Sequence, residues 1–319
     1  MIAQTIRRRL LKPPFAQLVD LSGKHYVVTG CSKGSLGFAT AAILLRWGAS
    51  VIVTTRSGDG AIAEDLAKHS GASLAQVVIE PLDLCDTDSV ENFVGQVQKR
   101  FPDGLDALIN NAGIHLDLMS KWKQPQLTED GFELHWRTNY LGTLQLTHVL
   151  LNHLLKRARS SGNARIVNVV SMLHSRGSNA QLDTGAEPYN SWVAYGLSKL
   201  ALIHFTYELQ RRYGDQGLDA YCLHPGAVNT PVGVKGMATS PVIQTLVKAM
   251  SPLQSLFMMS PEEGAQTQIM CATEPGLSGG RYFRDCREAR ASEDSKDGSV
   301  AARLWDEGLS WLHHTRSKA

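Results

Sequence analysis

"HYVVTGCSKGSLGFAT", residues 25–40, begins as an apolar β-branched run, turns through Gly30, Gly34 and Gly37, and continues into helix-forming residues. An apolar run of this kind suits a strand buried on both faces of a sheet. Glycines at its carboxyl end let the backbone bend sharply and lie close against a phosphate group. A helix starting near Leu36 then points free N–H groups and a partial positive charge at the same place. The turn is expected to hold phosphate; a purely structural strand-to-helix turn is the alternative.

The same alternation continues outward. Short apolar runs rich in β-branched residues recur at 25–29, 50–55, 75–80, 106–110, 164–170 and 219–224. Helical periodicity fills 37–47, 60–69, 86–101, 131–158 and 192–213 between and beside them. Strand and helix in strict succession predict parallel pairing through right-handed crossovers: an α/β, doubly wound parallel sheet of Rossmann type in three α/β/α layers. No linker or internal repeat interrupts the chain, which reads as one domain over 21–312, with a leader at 1–20 and a tail at 313–319. The leader reads as loosely packed or as a weak amphipathic arm resting on a membrane surface. It has no apolar run near the ~18 residues of a membrane span, and no secretory cleavage pattern.

Composition narrows the partners. With 32 basic against 30 acidic residues the net charge is only +2, and no basic block interleaves with aromatics, so no nucleic-acid partner is expected. Five scattered cysteines without a CxxC pair argue against a disulfide framework and a zinc site, and for a reducing, cytoplasmic setting. No metal site is expected: His148 and His153 lack ligand spacing. No GxSxG elbow supports a hydrolase.

Candidate chemistry lies in "WVAYGLSKLALIHF" (192–205), where Tyr195 and Lys199 stand four apart and share one helix face. A phenol with a pKa near ~10 is a poor base at neutral pH. A neighbouring ammonium is expected to lower it by ~1–3 pH units, making the tyrosine a usable proton donor and acceptor. The second strand ends in Thr55 followed by Arg56, where a dinucleotide site preferring NAD carries an acid. Arg56, with Lys33 in the glycine turn, suits a 2′-phosphate, so NADP(H) is expected over NAD(H).

Other segments complete a set: "RIVNVVS" ending at Ser171, "NNAG" (110–113), "TNYLG" (138–142) and "HPGAVNTP" (224–231). With these the chain resembles the short-chain dehydrogenase/reductase superfamily over roughly residues 20–312, and is most similar to the branch holding retinol dehydrogenases and the oxidoreductase domain of WW-domain proteins. "DGFELHWRTNYLGTLQLTHVLL" (130–151) and "AYGLSKLALIHFTYELQRR" (194–212) carry the likeness. The resemblance implies that Tyr195 exchanges the proton, Lys199 lowers its pKa and meets the nicotinamide ribose, and Ser171 bonds the reacting oxygen. Asn139 would hold a relay water. Gly30, Ser32, Lys33, Gly34, Ser35, Leu36 and Gly37 would cradle the pyrophosphate and Arg56 the 2′-phosphate. Asp83 and Leu84 would meet the adenine, and Asn111, Ala112 and Gly113 the adenosine side. Pro225, Gly226, Val228 and Thr230, together with Tyr195 and Lys199, would border the nicotinamide. The turn departs from the family's TGxxxGxG by one residue before Gly37, expected as a bulge at Gly34-Ser35.

The activity so implied interconverts a hydroxyl and a carbonyl. Reduction of a conjugated C=C bond by the same pair, or nucleotide binding without turnover, stand as alternatives. The segments 172–194 and 228–259 are expected to wall the substrate site, with His174 and Met237 touching substrate; for His174 a loop histidine with a local hydrogen bond is the other reading. Methionines there suit a bulky apolar ligand of steroid, retinoid, fatty or aromatic type; a helical lid packed on the core is the other reading. The resemblance also implies a homodimer or homotetramer paired through helices 131–158 and 192–213.

Overall fold

The structure, a computed structural model, describes residues 14–228 and 258–316. Strands β1 (His25–Val28), β2 (Ser50–Thr55), β3 (Val77–Pro81), β4 (Ala107–Asn110), β5 (Ala164–Val169), β6 (Leu218–His224), β7 (Arg281–Arg284) and β8 (Arg287–Glu288) form one sheet in the order β3-β2-β1-β4-β5-β6-β7-β8. All neighbours are parallel except the β7–β8 pair. Strand order reverses between β1 and β4, and a crevice for ligands opens at such a switch point, outside the carboxyl ends of the strands.

Helices α1 (Leu36–Arg46), α2 (Ala61–Ser70) and α7 (Pro261–Thr273) lie with one hydrophobic core. Helices α3 (Thr87–Arg100), α4 (Gly142–Ser161), α6 (Ser191–Tyr213) and α8 (Gly298–Arg316) lie with the other, and a short α5 (Asn179–Thr184) precedes α6. Local chemistry sets the starts. Asp86 accepts from the N–H groups of Asp88 and Ser89, and Asn190 from those of Trp192 and Val193. Ser260 and Glu263 close a capping box, with Pro261 at the first helical position.

The helix expected over 131–158 starts later. Gly131 takes φ +83° and Leu127 bridges Glu133, so the chain first turns back on itself. A π turn, Trp136–Leu141, then leads into α4. Residues 75 and 76, expected at the head of a strand, belong instead to a 3₁₀ turn, Leu74–Gln76, closed by a Ser73–Gln76 capping box. Residues at the end of the leader are docked: the Ala16 N–H donates to Gln266 Oε1 on α7 at 3.0 Å.

Helix α8 lies across the outward face that α4 and α6 share. Trp305 stacks on Phe205 at 5.5 Å, the Arg212 guanidinium sits 4.8 Å from its ring, and the Tyr140 hydroxyl donates to Leu304 O at 2.9 Å. Gly308 lies where any side chain would run into Leu144. These are the two helices expected to pair with a second copy, and here the chain's own C-terminal helix covers part of them. Trp305 is 2% exposed. Trp305→Ala should therefore lower the unfolding free energy by ~3–5 kcal/mol, read as a shift in urea midpoint; a change under ~1 kcal/mol would mean that α8 is not part of the cooperative core.

Candidate active site

The glycine turn leaves β1 at the switch point. Gly30 and Gly34 adopt φ +75° and +74°, the left-handed region that favours glycine. Gly37 approaches β1 so closely that a Cβ would lie 2.6 Å from both Gly30 O and Asn111 Nδ2. The additional residue is accommodated at the helix start. After left-handed Gly34, Ser35 becomes the N-cap of α1, its hydroxyl accepting from the Phe38 N–H and donating to Gly30 O, each at 3.2 Å. Cys31 is buried beside the turn, and burial pushes its thiol well up, as suits packing rather than reactivity.

Several residues expected on the nucleotide brace the turn instead of lying free. Asn111 donates to Thr29 O at 2.7 Å and accepts from Gln268, while Ala112 packs against Gly30. Lys33 is bound to Asp65 at 2.6 Å, whereas Arg56 is exposed at the end of β2. The Thr55 hydroxyl accepts from the Gly58 N–H. Asp83 caps its own loop by accepting from the Cys85 N–H at 2.9 Å. That loop is held from behind by buried Arg137, which donates to Leu84 O and Cys85 O at 2.6 and 2.9 Å. Past β6, Pro225 and Gly226 lead to Val228, which bridges Met259. Thr230 and Met237, and the segment 229–257 as a whole, lie outside the described residues.

Beside this turn, the carboxyl ends of β4 and β5 meet α6. The Ser171 hydroxyl accepts from the Leu173 N–H at 3.2 Å and pulls the titration of the Tyr195 phenol downward. Lys199, 4% exposed, donates to Val169 O at 3.0 Å, and its ammonium stands 5.7 Å from the Tyr195 ring centre. Gly113 fits between the Lys199 ammonium and Asn139 Oδ1, each 3.2 Å from where a Cβ would stand. Asn139 Oδ1 accepts from the Ile114 N–H at 2.8 Å, and its Nδ2 donates to Ile114 O and to Ser198 Oγ. Its amide thus ties the π turn to the exit of β4, the kind of helix irregularity that often marks a functional place.

Burial governs both titrating groups. It lowers Lys199 to about 8 and raises Tyr195 to about 12, against a smaller downward pull from Ser171. The lowered phenol expected from the lysine is therefore corrected: loss of hydration around the phenolate dominates. His174 follows the second reading of its position, a locally hydrogen-bonded loop histidine. Both its ring nitrogens are engaged within the chain, Nδ1 with Ser171 O at 2.6 Å and Nε2 accepting from the Ser292 N–H at 3.0 Å. It ties the strand end to the C-terminal segment.

Sequence spacing missed the aromatic surround of Tyr195. His115 stacks on the phenol ring at 4.2 Å, and Trp192 meets His115 edge-on at 4.6 Å. His135 stands edge-on to Tyr195 at 6.2 Å, its Nδ1 on Glu133, which also accepts from the Tyr189 hydroxyl. The available signal was small: a histidine two residues past "NNAG". Among the described residues no group of three or more His, Cys, Asp or Glu side chains is arranged to hold a metal, and no helix is long and apolar enough to cross a membrane.

The family model for short chain dehydrogenases matches residues 24–239. The chain is 36% identical to human (Homo sapiens) retinol dehydrogenase 11, over 96% of its own length and 91% of that protein's. It is 39% identical to retinol dehydrogenase 14 of Mus musculus, over 90% and 85%. An uncharacterized protein of Mycobacterium Paratuberculosis superposes with TM-score 0.66 at 31% identity, covering 93% of this chain and 98% of that one. NADPH-bound carbonyl reductase from chicken fatty liver shares the fold, with TM-score 0.61 at 24% identity over 85% of this chain and 100% of that one. The chain belongs to the short chain dehydrogenase family, and is an oxidoreductase of the class acting between CH–OH and C=O.

Burial also sets an acid limit. His204, fully buried with Nε2 on Asn179, and His115 are both lowered to about 4, mainly by loss of hydration. An unfolded chain binds protons at these sites from about pH 6.5 downward, so their contribution is complete above that pH and is lost as pH falls toward 4. Each contributes up to about 1.4 kcal/mol per pH unit in that window. The stability gap between the native chain and His204→Gln should narrow from pH 7 to pH 4.5 in urea melts; a constant gap would contradict a neutral buried imidazole.

Proposed function

We propose that the protein is an NADP(H)-dependent oxidoreductase that interconverts a hydroxyl and a carbonyl on a lipophilic small molecule. The observation that carries the reading is the convergence of Ser171, Tyr195 and Lys199 beside the glycine turn, at the carboxyl ends of the strands. The cradle fits a dinucleotide: a Cβ at Gly34 would meet nothing, so the backbone there lies open to a pyrophosphate, Gly30 and Gly37 let the turn pack closely on Ala112 and Asn111 behind it, and the amino end of α1 faces the same crevice. Bound there, the nicotinamide ring would supply or take up the hydride.

What the chain adds is proton handling. With its phenol raised to about 12, Tyr195 is protonated at neutral pH and stands ready to donate to a carbonyl oxygen as negative charge grows on it. Ser171 favours the phenolate and offers a donor to that oxygen. Lys199, lowered to about 8, still carries most of its charge at pH 7 and stabilises the phenolate left behind. In the oxidising direction the phenolate must form first, so oxidation should gain with rising pH while reduction is favoured near neutrality.

Arg56 supports NADP(H): it is the exposed cation beside Thr55, and no carboxylate occupies the end of β2, whereas the charge of Lys33 is already shared with Asp65. Relatives named retinol dehydrogenases support a lipophilic alcohol or aldehyde. The test is loss of NADPH absorbance with a panel of retinoid, steroid, aliphatic and aromatic carbonyls. Turnover is expected with apolar aldehydes or ketones, and Tyr195→Phe should lower it ~10²–10⁴-fold while still binding NADPH. Arg56→Ala should weaken NADPH binding ~10-fold, about 1.4 kcal/mol, and leave NADH unchanged. Full turnover by Tyr195→Phe would overturn the mechanism, and equal loss for both nucleotides would overturn the role of Arg56.

A further inference from the structure

We propose that His115 is a positioning residue whose imidazole face holds the Tyr195 phenol in the orientation from which the proton passes. This rests on the reading of Tyr195 as proton donor and adds a residue to it. The two rings lie nearly parallel, 12° apart with centres at 4.2 Å. His115 is 8% exposed and is braced on its other sides by the edge of Trp192 at 4.6 Å and by His135 at 6.0 Å. Each brace is itself fixed. His135 is completely buried, with Nδ1 on Glu133 Oε1 at 2.7 Å and Nε2 accepting from the Leu116 N–H at 3.0 Å. Trp192 Nε1 donates to Leu118 O. The backbone before His115 is clamped by the two-way pairing of Ile114 with Asn139.

Among the described residues the buried Nε2 of His115 has no hydrogen-bond partner, and the ring is packed by its faces and edges against Tyr195, Trp192 and His135. Stacked aromatic pairs contribute roughly 0.5–1.5 kcal/mol beyond area burial, enough to favour one phenol orientation over its neighbours. Orientation matters here because displacing a reacting group by ~1 Å can lower the rate ~100-fold. The titratable groups facing His115 are Lys199, His135 and Asp117; burial, with the Lys199 ammonium, outweighs the Asp117 carboxylate and keeps the imidazole neutral. A neutral ring on the phenol leaves its titration where burial sets it, whereas a permanent cation in the same place would favour the phenolate and pull that titration down.

The experiment measures NADPH binding, kcat and its pH profile for the full chain and for His115→Ala, His115→Phe, His115→Asn, His115→Lys and Tyr195→Phe, using the carbonyl that the native chain reduces fastest. His115→Ala should lower kcat ~10–100-fold with NADPH affinity within ~2-fold of native. His115→Phe, which keeps the stack, should recover kcat to within ~3-fold with the native pH profile. His115→Lys should move the alkaline limb of reduction to lower pH, by ~1 unit or more. Native kcat in His115→Ala, or rescue by Asn and not by Phe, would overturn the proposal. Should Ala fail to fold, an equally low kcat in folded His115→Phe or an unmoved limb in His115→Lys overturns it. An active Tyr195→Phe would instead defeat the reading of Tyr195, separately from the role of His115.

Discussion

The arrangement depends on one buried ammonium. Lys199 sits among the carboxyl ends of the strands with Val169 O as its acceptor and Gly113 packed against it. A charge so placed is costly unless something in the site uses it, and burial moves both Lys199 and Tyr195 toward their neutral forms. The site is thereby poised: the phenol keeps its proton until an oxygen beside it begins to carry negative charge. Four residues along one helix are enough to set this relation, provided that the helix cannot rotate.

Rotation is prevented by the elements around α6. Asn190 caps its start, Gly196 lies where a side chain would meet Leu173 O, and Ser198 is tied both to Tyr195 O and to Asn139. Asn139 in turn joins the π turn to Ile114, and Arg137 on that turn holds the Leu84–Cys85 carbonyls while Trp311 lies against its guanidinium. The C-terminal helix is thus linked to the loop expected at the adenine, and the reaction centre to the turn expected at the phosphates, through side chains that touch no ligand themselves.

Much of this was legible in the sequence because it is periodic or local. Six strands and the five helical segments follow from apolar runs and turn residues, and Gly30, Gly34, Ser171, Tyr195 and Lys199 follow from motifs at strand ends. Strands β7 and β8 were missed: Arg281 and Arg284 are exposed at either end of a four-residue strand, and β8 has only two residues, so neither shows an apolar run. Helix α8 was not recognised as a cover for α4 and α6, because its partners lie far away in the chain. The placement of His115 on Tyr195 depends on contacts across 80 residues and leaves no trace in local spacing. Conversely, the position of His174 after Ser171 left two readings open, substrate contact or a local hydrogen bond, and only the fold shows both its nitrogens engaged. The direction of the Tyr195 shift was misjudged for the same reason: composition reveals the neighbouring lysine but not how little water reaches the pair.

The account can be read most directly at the lysine itself. Isotope-labelled lysine, with the Lys199 resonance assigned by its absence in Lys199→Arg, reports the titration of this one ammonium by nuclear magnetic resonance. The burial described here predicts a midpoint at about 8. A midpoint at the ordinary 10.5 would show a hydrated ammonium and leave Tyr195 without the environment on which its proton transfer depends.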